Sequence, residues 1–342
     1  MSLRLSILDQ SPVHDSDSRE GGNDGADALR HTIELARKAE QWGYHRFWVA
    51  EHHGSGGVMG SSPEVLVSHL LAHTSRIRVG SGGVMLQHYS PYKVAENFNV
   101  LASLAPGRVD LGIGRGPGGL PRSTAALRRG DGEPAMNLAE KLDELRRFLH
   151  DQFEPEHPLY GLHASPLPPQ PPDLFLLGTT RSSGDMAAEL AMPYVFALFL
   201  NNDEGEMAEA VRRYQAGFDH RNGVKPRTML ALPIIVADAD EEAAEHAAKI
   251  QVVRITLDSG RTLTVGSVEA GEEFGKQSGE GYQITVRQAG VVHGGPESVR
   301  RQLHEVRQKY RADEIIAVTA IDSFEKRLRS FELLGGLIGK IV

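Results

Sequence analysis

The chain has 342 residues and carries 45 acidic against 37 basic side chains. The resulting net charge of −8 argues against nucleic acid or an anionic membrane as partner, because both select clustered Lys and Arg. With no cysteine, disulfides, thiolate catalysis and cysteine-ligated metals are excluded. No apolar run approaches the roughly 20 residues of a membrane span, and the first residues lack a signal-peptide pattern, so a cytoplasmic location is expected.

Strand-like and helix-like periods alternate along the chain. Residues 5–8 read as a strand, and 26–42 as a helix from the spacing of Leu29, Ile33, Leu35, Ala36 and Ala39. An aromatic and β-branched strand at 47–49 runs out into Ala50, Glu51, His52 and His53, followed at once by a glycine loop. A helix over 63–74 has Ser62 as cap and Pro63 in its first turn. Next come strand 77–84, helix 92–104, strand 109–113 and helix 138–149. Prolines keep 155–172 out of regular structure. Strands at 174–177, 195–198 and 229–236 alternate with helices at 184–190, 204–219 and 241–254. Helix 296–310, strand 314–319 and helix 324–334 follow.

Eight strands, each followed by a helix and with no second composition block, predict an α/β fold: one domain over 1–342, closed as a (β/α)8 TIM barrel. The charged, Gly- and Thr-rich stretch 258–288 breaks the rhythm. It is a long insertion after the seventh strand, and a mobile lid is expected there.

The polar motifs stand at predicted strand exits, where such barrels place their chemistry. His52 and His53 can carry or release a proton near neutral pH, although surface or packing histidines would look the same. Gly82 and Gly83 interrupt a strand, which calls for a bulge, a close ligand or tight packing. Arg115 lies in a glycine loop that resembles a dinucleotide fingerprint, but Pro117 and the lack of a predicted following helix spoil that match. A bidentate phosphate or carboxylate clamp suits Arg115 better. Thr179, Thr180, Ser182 and Ser183 precede a helix, so hydroxyls, amides and helix dipole form either an anion cradle or an ordinary cap. Two anion-binding devices on one barrel face imply a phosphorylated cofactor. Adjacent ring positions rarely share one metal, and no metal is expected.

These segments, namely 50–53, 79–86 with Pro91, 106–115 and 178–188, resemble the bacterial luciferase-like, flavin-dependent monooxygenases over most of the chain. The opening stretch 5–12 resembles a non-luminous subgroup. The resemblance implies reduced FMN, supplied by a separate flavin reductase and bound at the barrel mouth. His52 would be catalytic, and Gly82–Gly83 a cis peptide beneath the flavin. Arg115, Thr180 and Ser183 would hold the phosphate, with Ser182 and Thr179 beside them. Thr179 departs from the family pattern, where the luciferase subunit has a glutamate. The implied reaction oxidises a small organic compound such as an aldehyde through a flavin C4a-peroxide, without light, since Gly114 stands where the luminous subunit has a reactive cysteine. A deazaflavin-dependent hydride-transfer enzyme and a non-catalytic flavin-binding subunit are the alternatives. The family also implies a homodimer, consistent with surplus apolar residues over 63–74 and 92–104.

Overall fold

Short runs rich in Val, Ile, Leu and Phe are buried on both faces, as strands of a parallel barrel must be. The computed structural model describes residues 3–13, 24–128, 136–220 and 223–341. Its strands are β1 (Arg4–Asp9), β2 (Arg46–Val49), β3 (Arg78–Val84), β4 (Val109–Ile113), β5 (Asp173–Gly178), β6 (Tyr194–Ala197) and β7 (Thr228–Val236). These are followed by β8 (Gln251–Leu257), β9 (Thr262–Val265), β10 (Tyr282–Gln288), β11 (Val292–Gly294) and β12 (Glu314–Val318). Strands β1 to β7 pair in sequence order, β7 pairs with β12, and β12 returns to β1, so eight parallel strands close the predicted TIM barrel. Strand β11, unforeseen in the sequence, adds a short parallel rung outside β7.

Strand alternation sorts side chains into two layers. Phe47, Val49, Leu5 and Ile7 face the surrounding helices. Leu8, Trp48, Phe175, Met229 and Ile316 fill the barrel interior. Below them the interior is ionic. Arg46 Nε donates to Glu314 Oε1 at 2.6 Å, and its Nη1 donates to Asp110 Oδ2 at 2.6 Å. Trp48 Nε1 donates to the same Asp110 oxygen at 2.9 Å, and the Arg46 guanidinium lies 4.9 Å from the centre of the Phe175 ring. Burial alone would raise the Glu314 pKa, but the Arg46 charge and the hydrogen bonds from Ser6 and Arg46 hold it below the ordinary value. This layer fills the N-terminal end and leaves the C-terminal end for chemistry.

The insertion differs from expectation. The helix expected over 241–254 stops at Ala247, and the insertion starts at β8 rather than at residue 258. The physical reason is periodicity: Val253, Ile255 and Leu257 alternate with Arg254 and Thr256, a period of two that suits a strand. Strands β10, β8 and β9 form an antiparallel sheet in that order, with a helix over Val268–Ser278. Ile255, Leu257 and Phe274 make a small core completed by Leu263, Val265, Ile284 and, from the loop after β4, Leu120. The stretch expected to be a mobile lid is therefore part of a folded unit.

Three smaller departures bear on the site. A helix, Pro121–Leu127, follows the Arg115 loop where none was predicted. The helix expected from 184 begins at Arg181. The strand expected to reach Leu198 gives way there to a helical turn, Leu198–Asn201. Residues 155–172 have no helix or strand, as expected. Ser62 occupies the predicted cap position without making a side-chain cap bond.

Candidate active site

Loops leaving five neighbouring strands are stitched together at the C-terminal mouth. His53 N donates to Gly118 O at 2.7 Å, and Met85 N to Glu51 Oε2 at 2.9 Å. Arg115 Nη1 donates to Ser182 Oγ at 3.1 Å, and Asn201 Nδ2 to Thr179 O at 2.7 Å. The segments singled out in the sequence thus share one face of the barrel.

The two histidines have opposite surroundings. His52 N donates to Gly60 O at 2.7 Å, while its Nδ1 is buried and has no hydrogen-bond partner among the described residues. Desolvation, followed by the nearby His53, lowers its pKa to about 4. Its ring is therefore neutral at pH 7 and able to accept a proton. His53 Nε2 instead donates to Glu51 Oε1 at 2.7 Å. The Tyr89 hydroxyl donates to that same oxygen at 2.8 Å, and burial, with Glu51 second, keeps the phenol well above its ordinary pKa. Glu51 is fully buried and accepts from three donors, which fixes the ring orientation of His53. Nearby, His88 Nε2 donates to Pro117 O at 2.8 Å, and burial lowers its pKa. Glu51 stands in the segment 50–53, where no local pattern marks its role. Tyr89 and His88 had no sequence signal, because only the fold brings them to β2.

Gly82–Gly83 is a cis peptide, as the resemblance implies. A Cβ on Gly82 would stand 2.7 Å from Leu8 Cδ1 and 3.0 Å from Trp48 Cε3, and one on Gly83 would stand 2.6 Å from Gly112 O. Tight packing against backbone therefore requires glycine at 83, while a side chain at 82 would have to displace Leu8.

At the exit of β5, Thr180 caps the helix Arg181–Glu189. Its Oγ1 lies 3.0 Å from Ser182 Oγ, which in turn accepts from Arg115. These three groups are exposed, and no carboxylate joins them among the described residues. Ser183 differs: it is buried, and its hydroxyl donates to Thr180 O at 2.6 Å and lies 3.1 Å from the Tyr194 hydroxyl. Arg181 is held aside by Glu206 through Nε at 2.7 Å. Glu206 also accepts from the first N–H of that helix, Arg181 N, at 2.7 Å, so the anion-binding character of the mouth rests on the Arg115 cation and the two exposed hydroxyls.

The sequence model of one family, described as luciferase-like monooxygenase, matches residues 4–313. An N-acetyl-S-alkylcysteine monooxygenase of Bacillus subtilis (strain 168) is 40% identical over 336 residues, covering 98% of each chain. The solved structure of apo-MsnO8 is 35% identical with a TM-score of 0.77, covering all of this chain and 98% of its own. More remotely, the oxygenating constituent of 3,6-diketocamphane monooxygenase from Pseudomonas putida, solved with FMN, shares the fold at TM-score 0.66 and 16% identity. That match covers 100% of this chain and 98% of its own.

Proposed function

The chain belongs to the luciferase-like monooxygenase family, and from that premise we propose an FMN-dependent monooxygenase that takes reduced FMN from a separate flavin reductase. The observation that carries this reading is the exposed cluster of Arg115, Thr180 and Ser182 at the mouth, whose side chains hold no carboxylate among the described residues and which fits the phosphate of FMN. Bound reduced FMN supplies two electrons, so that one atom of dioxygen enters the substrate and the other leaves as water. His52 Nδ1, neutral and unpaired, accepts and returns the proton that this exchange moves. Glu51 holds the proton of His53 at Nε2 and so keeps that ring in one orientation. The insertion, docked through Leu120 and through the Arg122 N to Gln277 Oε1 bond at 3.0 Å, shields the mouth from water.

The relative at 40% identity acts, by its name, on N-acetylated, S-alkylated cysteines. It supports a small thioether-bearing acid as substrate, in place of the aldehyde expected from the sequence. We further propose a homodimer through the helices Pro63–His73 and Pro91–Leu104. Most of their apolar residues are buried within the chain, yet Val65 (67%), Val100 (43%) and Leu104 (74%) are exposed. Light scattering checks this against a monomer mass of 37.3 kDa.

The test of the reaction is to mix the chain with reduced FMN, N-acetyl-S-methylcysteine and isotopically labelled dioxygen, in parallel with a reduced deazaflavin. Label in the organic product with FMN alone is expected. Turnover with the deazaflavin and no label incorporated would replace oxygenation by hydride transfer.

A further inference from the structure

Two arginines of the insertion reach the same carbonyl oxygen. Arg254 Nη2 on β8 and Arg287 Nη2 on β10 each donate to Asn201 O at 2.6 Å, and Arg287 Nη2 also donates to Asn202 O at 2.8 Å. The two nitrogens therefore lie within about 5 Å of each other. Among the described residues neither guanidinium pairs with a carboxylate. Several other arginines are neutralised: Arg181, Arg213 and Arg329 each hold an acid within 2.7 Å, whereas Arg108, like this pair, bonds no carboxylate among the described residues. Two like charges held together without a counter-charge repel one another, and an anion between them removes that cost.

The rest of the face suits an organic anion. Cross-strand register places Arg254 opposite Thr285 and Thr264, and Thr256 opposite Gln283 and Thr262. These residues share the face that meets Asn201, whereas Ile255, Leu257 and Ile284 turn to the insertion's own core. Asn201 in turn bonds Thr179, which ties the arginine pair to the mouth beside the Arg115 cluster. Each guanidinium has further N–H donors that its carbonyl bonds leave open.

We infer that Arg254 and Arg287 form a carboxylate clamp, and that the polar face of the insertion sheet orients an anionic substrate by its acid group. The inference rests on the oxygenase reading for its substrate, but not for its test. Calorimetry on the chain without turnover, with oxidised FMN present, measures binding of N-acetyl-S-methylcysteine and of its methyl ester. The wild type is expected to prefer the acid, and Arg287→Ala, at an exposed position, to weaken acid binding about 10- to 150-fold while leaving the ester unchanged. Arg254→Lys is expected to lose less than Arg254→Ala, because it keeps the charge but not the fork. FMN affinity is expected to stay within about twofold of wild type in all variants. Equal binding of acid and ester, or failure of the acid to bind, overturns the clamp. A matching loss of FMN affinity overturns it too, by giving the arginines to the flavin phosphate. Clean acid selectivity without oxygen transfer would leave the clamp standing and remove the oxygenase reading alone.

Discussion

The buried carboxylate of Glu51 accepts from His53 Nε2 at 2.7 Å, and this bond anchors one of two adjacent imidazoles while desolvation governs the other. His53 is anchored. His52, one residue earlier, is desolvated and has no partner at Nδ1 among the described residues.

His52 is expected to stay neutral down to about pH 4, as read from its ring nitrogen shifts by NMR. The sign for stability follows. The unfolded chain takes up this proton near pH 6.5, and the folded chain only near 4, so His52 withdraws stability as pH falls through that window. His52→Ala is expected to cut oxygenation by about 10²–10⁴-fold with FMN affinity nearly unchanged. Equal losses in both would make the ring a structural support.

Glu51→Gln leaves the side chain's shape but replaces an acceptor by an amide donor that faces the N–H of Met85 or of His53. Losing a charged hydrogen-bond acceptor is worth about 1.5–3 kcal/mol, so kcat is expected to drop roughly 10- to 150-fold with KM little altered. Tyr89→Phe removes one donor from the same oxygen and is expected to cost less. A rise in KM alone would place Glu51 in substrate binding.

Arg115→Ala is expected to raise the FMN dissociation constant about 10- to 150-fold, while riboflavin, which lacks the phosphate, binds both proteins alike. Fluorescence titration reads both ligands. An equal loss for riboflavin removes the phosphate assignment.

Arg46→Ala strands two buried carboxylates, Asp110 and Glu314, and is expected to destabilise the barrel by about 3–5 kcal/mol in urea unfolding. In wild type, the lowered Glu314 pKa contributes stability that is present above its unfolded value of about 4.3 and is lost as pH falls through the lower folded value. The variant is expected to lose that acid-side dependence.

The barrel was legible because its strands are short, mainly apolar runs and its helices carry apolar stripes, both of which are local signals. The site was legible as far as chain order carried it: His52, Arg115 and Thr180 announce themselves beside glycines and strand ends. Tyr89 and Asn201 do not, since their roles exist only once β2, β3, β5 and β6 are neighbours. The ionic plug was hidden for the same reason, with Arg46 and Glu314 separated by most of the chain. The insertion was misjudged where Gln251–Leu257 follows directly on a helix, because its alternating period is only seven residues long.

Register in the insertion sheet carries one last consequence. Gln251 sits opposite Gln288, so the chain leaves the barrel and re-enters it at adjacent points. A short turn can bridge that gap, and the eight-stranded ring makes none of its closing pairs through residues in between. The segment is topologically a cassette: it hangs from two adjacent points, and the ring's own pairing does not pass through it. Under the proposed clamp, what the enzyme accepts would be set on a segment outside the ring that carries its reacting groups.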